Sequence, residues 1–159
     1  MEYFSKKIEN LQGKLRFEAP QTLVIDGKEV ARIYDATIEN AGEITKYELK
    51  NWAGWYPSSI KNQFIKDIQS IEKLDELKWV FNTTSGVNKT NLKEKIISTL
   101  RKADGTPIEE LNKLFKGSNQ KLMKDKFSKI FGEPIEDSDD LLKSIEKSDN
   151  FEKIFEIVE

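Results

Sequence analysis

The apolar positions of the first half change period three times. Phe4, Ile8 and Leu11 repeat at helical spacing and predict a short helix over Ser5 to Gln12, ended by Gly13. A β-rich stretch follows. TLVI (22–25) and KEVARIYDATI (28–38) are separated by Asp26-Gly27, a two-residue hairpin signal. A second turn, ENAGE (39–43), leads into ITKYELKNW (44–52), so three strands joined by tight turns predict an antiparallel meander. After the loop AGWYP (53–57), Ser58 or Ser59 is placed to cap a helix running to about Leu74, and LKWVFN (77–82) reads as a buried fourth strand. The predicted order is α-β-β-β-α-β.

From Asn91 the period stays helical. NLKEKIISTLRKA, IEELNKLFKG, KLMKDKFSKIF, DDLLKSIEK and NFEKIFEIV are divided by Gly, Pro and Asp, which predicts four or five helices and no strand. The chain thus divides into residues 1–90, a mixed α/β core, and residues 91–159, a helical extension packed on or beside it. No internal repeat of fixed period is visible. The C-terminal FEKIFEIVE reads as an amphipathic end that docks on the core or on a partner.

Composition narrows the chemistry. The 159 residues suit one domain with a sizeable core. The 26 basic and 28 acidic side chains leave a net charge of −2, so no global positive field advertises nucleic-acid binding. With neither Cys nor His, thiolate and imidazole chemistry is excluded: no disulfide, no His general base, no zinc site of the usual ligands. Catalysis on this chain has carboxylates, lysines, hydroxyls or an oxygen-ligated cation to work with. No apolar run spans a membrane and no signal peptide is visible.

Glu48 and Lys50 form a Glu-x-Lys triplet on the third predicted strand. Chance alone supplies roughly two or three such triplets in a chain this rich in both residues, and a second, Glu76-Leu77-Lys78, sits at a helix-to-strand junction and reads as solvated surface. Context separates the two. On a strand, Glu48 and Lys50 share a face, with Tyr47 and Leu49 on the other. On the neighbouring strand Asp35 interrupts an apolar run. Asp35, Glu48 and Lys50 are therefore expected to converge at the end of the sheet. Two carboxylates beside one ammonium make a divalent-cation site, with Lys50 positioning the attacking water. A carboxylate pair without a cation would be repulsive.

The next helix points to the same place. Stepping 100° per residue from Ile60 sets Phe64, Ile68, Ile71 and Leu74 on one face, and Gln63 and Asp67 on or beside it. Polar groups on a buried face need partners, so Gln63 is expected to reach the carboxylate patch.

An Asp on one strand, Glu-x-Lys on the next and a Gln-bearing helix together resemble the PD-(D/E)XK, or restriction-endonuclease-like, nuclease superfamily. The residues look closest to the restriction-endonuclease-fold toxin domains at the C-termini of bacterial polymorphic and contact-dependent inhibition toxins. That branch carries R-x-x-D (Arg32, Asp35), a turn glycine (Gly42), E-x-K (Glu48, Lys50), Q-x-x-x-D (Gln63, Asp67) and W-x-F (Trp79, Phe81). The similarity covers roughly residues 20–86; the helical half resembles no family. It implies a metal-dependent phosphodiesterase in which Asp35 and Glu48 hold magnesium or manganese, Lys50 assists the water and Gln63 orients a site group. Arg32 and Asp67 are accessory, as is a glutamate from the first helix: Glu9, with Glu18 behind it. It further implies a nuclease, with DNA slightly ahead of RNA as substrate, delivered into the cytoplasm of a neighbouring bacterial cell and neutralised at home by an immunity protein.

Other features have blander readings beside the functional ones. Trp52, Trp55 and Tyr56 would stack on an unpaired base, or simply pack over the sheet edge. Lysines 121, 124, 126 and 129 lie within one helix as phosphate contacts or as a solvated face. EDSDD (136–140) lacks the Gly and distal Glu of a calcium loop and reads as a helix cap. Two further functions stand beside the toxin nuclease. One is a non-catalytic binding module, either a degenerate nuclease fold or an immunity-type protein. The other is a housekeeping restriction or repair nuclease.

Overall fold

Two long strands and a tight turn build the first layer. The computed structural model describes residues 13–25, 27–82, 84 and 86–158; the helix expected over Ser5 to Gln12, and Glu9 with it, lie outside them. Strand β1 (Lys14–Ile25) pairs antiparallel with β2 (Lys28–Asn40), from Ile25↔Lys28 to Lys14↔Glu39. β1 is longer than TLVI because it is the edge of the sheet, where Pro20, lacking an N–H, is tolerated. Ala41 and Gly42 then join β2 to β3 (Glu43–Lys50) with φ of 52° and 85°. A two-residue hairpin turn of this hand needs positive φ at both positions, which glycine adopts freely and alanine does not.

Helix α1 crosses from β3 to the parallel strand β4 (Leu77–Asn82). It is continuous through Pro57–Ser59, a π-helical turn at Ile60–Phe64, and Ile65–Gln69. It begins one residue before the expected serine cap because Pro57 occupies the first turn, where its fixed φ is already helical. The helix ends at Gln69 rather than Leu74; Leu74–Glu76 is a separate 3₁₀ turn. Ile60, Phe64, Ile68, Ile71 and Leu74 are nonetheless all buried, as their spacing predicts. Each such side chain contributes about 1.5–3 kcal/mol of hydrophobic stabilisation.

The second half is helical up to its last turn: α2 (Leu92–Leu100), α3 (Glu109–Asn112), α4 (Gln120–Phe131), α5 (Ser138–Glu146) and α6 (Ser148–Ile154). Gly132 ends α4 in the left-handed conformation, and the Asp137 carboxylate caps α5 by accepting the Asp140 N–H, as expected of the acidic run. The expected absence of strands in this half is corrected by β5 (Phe155–Val158), which adds parallel to β4. NFEKIFEIV satisfies helical and alternating periods at once, and the open edge of β4 decides for the strand.

The result is a mixed α/β molecule around a five-stranded mixed sheet of order β1-β2-β3-β4-β5. One core joins Leu23, Tyr34, Phe64 and Trp79 to Ile96, Leu111, Phe127 and Leu141, so the two halves of the sequence share it. Ala36, Ile38, Tyr47 and Val80 form a smaller cluster on the opposite face of the sheet.

Candidate active site

Strand β3 carries three charged or polar-tipped side chains toward the main core. Lys46, Glu48 and Lys50 alternate with Tyr47, which belongs to the opposite cluster, and all three are buried. The Glu48↔Trp79 and Lys50↔Phe81 pairings set them beside the aromatic face of β4. The Lys50 Nζ donates to Glu48 Oε1 at 2.8 Å and to Gln63 Oε1 of α1 at 2.7 Å. It also lies 4.4 Å from the centroid of the Trp79 ring and 5.6 Å from that of Trp52, distances at which a ring face attracts a cation.

Beneath this pair lies a second one. Asp67 of α1 has no exposed surface, and its carboxylate accepts four hydrogen bonds. Oδ1 takes Arg32 Nε at 3.1 Å and Tyr34 Oη at 3.0 Å; Oδ2 takes Arg32 Nη2 at 3.3 Å and Trp79 Nε1 at 3.0 Å. Arg32 continues to Glu48, with Nη2 3.1 Å from Oε2. That contact has ion-pair distance but not hydrogen-bond geometry, and Oε2 remains a buried acceptor without a hydrogen bond. Two cations and two carboxylates therefore alternate in one cluster: Lys50, Glu48, Arg32, Asp67.

The cluster sets its own protonation. Burial works against the Arg32 cation, but Asp67, and Glu48 after it, outweigh burial and raise its pKa. Burial raises the Tyr34 phenol well above its ordinary value, and the neighbouring Asp67 charge adds to it. Tyr34 thus stays a donor to Asp67. Lys46, 5.7 Å from the Tyr34 ring centroid, is lowered by burial.

The structure brings together Arg32, Glu48, Lys50, Gln63 and Asp67, and leaves Asp35 outside. The β2–β3 register runs from Asn40↔Glu43 to Ala36↔Tyr47. At Asp35 the alternation of β2 changes phase: Tyr34 faces the main core, whereas Ala36 and Ile38 face the opposite cluster. Asp35 is exposed, and its carboxylate accepts the Leu49 N–H at 2.7 Å, taking over where the backbone ladder stops. Among the described residues no hydrogen bond or ion pair joins it to Glu48, Lys50 or Gln63. Opposite Asp35, Glu18 is exposed on β1 with a φ of 46°.

Trp52, Trp55 and Tyr56 form a cluster at the end of β3, with Trp52 5.7 Å from Trp55 and 5.2 Å from Tyr56, centroid to centroid. Trp55 is tied to α2 through Thr99 Oγ1, and Tyr56, 49% exposed, is the ring left open to solvent. Tyr34 and Lys46 are the participants that motif reading missed. The alternation Arg32-x-Tyr34 is the signal that places the tyrosine on the cluster's face.

A divalent cation here would need carboxylate oxygens. Asp67 has none to spare, and Asp35 is engaged by Leu49. Among the described residues, Glu48 Oε2 is a buried carboxylate oxygen still lacking a hydrogen bond, although Arg32 Nη2 lies 3.1 Å from it. Among the described residues no group of three acidic side chains has a metal-ligating arrangement. The described residues therefore offer no all-protein cage for a cation; Glu48 Oε2 alone could contribute an oxygen to one.

No family model matches the chain, and no curated protein or solved structure matches it.

Proposed function

We propose that this chain is a metal-dependent nuclease whose working group is the Glu48–Lys50–Gln63 cluster. The observation that carries the reading is the Lys50 ammonium held between Glu48 Oε1 and Gln63 Oε1, beside a Glu48 oxygen that lacks a hydrogen bond. A buried ionic cluster is a poor way to gain stability, since well-packed apolar residues of similar volume do as well or better. Its presence under α1 therefore supports a chemical role. The antiparallel β1–β2–β3 meander followed by a helix and a parallel β4 supports the restriction-endonuclease-like topology that the motif order implies.

In this reading Glu48 would hold magnesium or manganese; Asp35 enters as a second carboxylate on the motif order alone, since it stands outside the cluster. The ion supplies Lewis acidity toward a phosphoryl oxygen and a water. Lys50 offers a fixed positive charge to the phosphate in attack, and Gln63 holds the amine in place. Arg32, itself held by Asp67, orients Glu48 from below. Tyr56 offers a face on which a base stacks. DNA stands slightly ahead of RNA as substrate. Action in a neighbouring bacterial cell, and neutralisation by an immunity protein, rest on the motif order alone.

A second reading, a non-catalytic binding module, draws on two observations. Asp35 stands apart from the cluster, and Arg32 already neutralises Glu48. One experiment separates the two. The protein is incubated with plasmid DNA and with total RNA in magnesium, manganese or EDTA, beside Glu48→Gln and Lys50→Met, both close to the parent in size. Metal-dependent cleavage lost in both variants supports the nuclease. A folded parent that cuts neither substrate leaves the binding module.

A further inference from the structure

A groove on another side of the molecule has a composition that neither reading uses. It encloses about 590 Å³ between the tip of the β1–β2 hairpin, the end of α1 and helix α4. Its lining is aliphatic: Ile25, Leu114, Met123 and Ile130 below, with Val24 and Leu122 at the rim. Both rim residues are 61% exposed, which is a large apolar surface to leave in water. Helix α4 presents this face because Leu122, Met123, Lys126, Lys129 and Ile130 recur at helical spacing.

Charge surrounds the apolar floor, and most of it is basic. Lys113, Lys116, Lys126 and Lys129 line the groove against Glu72 and Asp125. Two of the four are engaged: Lys116 pairs with Glu109 at 2.9 Å, and Lys126 donates to the Gln69 carbonyl at the end of α1. Glu72 and Asp125 are exposed and have no ion-pair partner among the described residues, but the lining lysines outnumber them four to two, and Lys113 and Lys129 are likewise exposed and without an ion-pair partner there. They are two cations at the edge of an apolar trough in a chain whose net charge is negative.

We infer that this groove docks an acidic amphipathic segment of a partner protein. Aliphatic side chains of that segment enter the floor, and its carboxylates meet Lys113 and Lys129. Two features select a protein over a nucleic acid. Among the described residues the lining contains no aromatic ring, so they offer no platform for a base. Its floor is aliphatic, which suits Leu, Ile or Val side chains and does nothing for phosphate. The inference is independent of the nuclease reading, because none of the groove residues belongs to the Glu48 cluster.

The test is a titration of the ¹⁵N-labelled full chain, followed by amide shifts. The probe is a synthetic helical peptide of glutamate and leucine, with leucines on one face. The controls are the same peptide with serine for leucine, the same peptide with lysine for glutamate, and a single-stranded oligodeoxynucleotide. The expected result is saturable shifts confined to residues 24–27, 69–72 and 113–130 with the first peptide alone. The double variant Lys113→Glu/Lys129→Glu weakens it about tenfold, and Leu122→Ala weakens it as well. All three positions are exposed, so the variants keep the fold. Three outcomes overturn the inference: no saturable shift with the first peptide, equal binding of either control peptide, or stronger perturbation of the same residues by the oligonucleotide.

Discussion

The Lys50 ammonium and the Gln63 side-chain carbonyl meet at 2.7 Å, and this contact ties the end of β3 to the π-helical turn of α1. A π turn carries more residues per turn than an α-helix and shifts the side chains after it, a device frequent at functional sites. Gln63→Leu keeps the bulk and removes the acceptor. If Gln63 positions Lys50, cleavage falls about 10- to 100-fold while the fold loses only about 1 kcal/mol, because the buried Lys50 ammonium keeps Glu48 as an acceptor. Steady-state cleavage beside a thermal melt checks both. Parental cleavage in this variant would remove Gln63 from the machinery.

Most of this geometry was legible in the sequence because it rests on periods. Alternation put Glu48 and Lys50 on one face, and helical spacing turned Gln63 and Asp67 toward it. The illegible parts come from breaks in periodicity. A phase change at Asp35 left that carboxylate outside the cluster, and nothing local in RIYDATI announces it; only the pairing with β3 does. β5 was hidden for a related reason, since a short amphipathic run takes the conformation of whichever partner is open. The length of β1 was obscured by Pro20, which an edge strand tolerates.

Asp35 has a structural task in the sheet and, in the proposed nuclease, a chemical one, and two substitutions separate them. Asn keeps an oxygen for the Leu49 N–H but loses the charge; Ala loses both. Asp35→Asn is expected to keep the parental urea midpoint and lose metal-dependent cleavage. Asp35→Ala loses cleavage and also about 1–2 kcal/mol of stability. If Asp35→Asn cuts nucleic acid at the parental rate, Asp35 serves the sheet alone.

Asp67 holds Arg32, Tyr34 and Trp79 at once, so its removal strands four donor groups, two on the half-buried Arg32 and one each on the buried Tyr34 and Trp79. Asp67→Ala is expected to cost about 3–5 kcal/mol, as for a buried ion pair losing one partner. The double variant Arg32→Met/Asp67→Leu removes both charges and should recover a large part of that loss. Equilibrium urea unfolding of the three proteins measures it. A double variant as unstable as Asp67→Ala would show that the cost lies with Tyr34 and Trp79 rather than with a guanidinium left to Glu48 alone.

Alkaline stability should depend on Tyr47. This phenol is 4% exposed, and burial, followed by the Glu156 carboxylate, pushes its pKa up to about 12. An unfolded tyrosine titrates near 10. Below about pH 10 both states hold the proton and the contribution is fully present. Between about pH 10 and 12 the unfolded chain releases it first, so stability falls as pH rises, by at most about 1.4 kcal/mol per pH unit for this group. Tyr34 is raised still further and adds to the slope in the same direction. Tyr47→Phe keeps the packed ring and removes one titration, so its urea midpoint should fall less steeply than the parent's across this range. Identical pH slopes for the two proteins would mean that the Tyr47 phenol ionises in the fold as readily as in the unfolded chain.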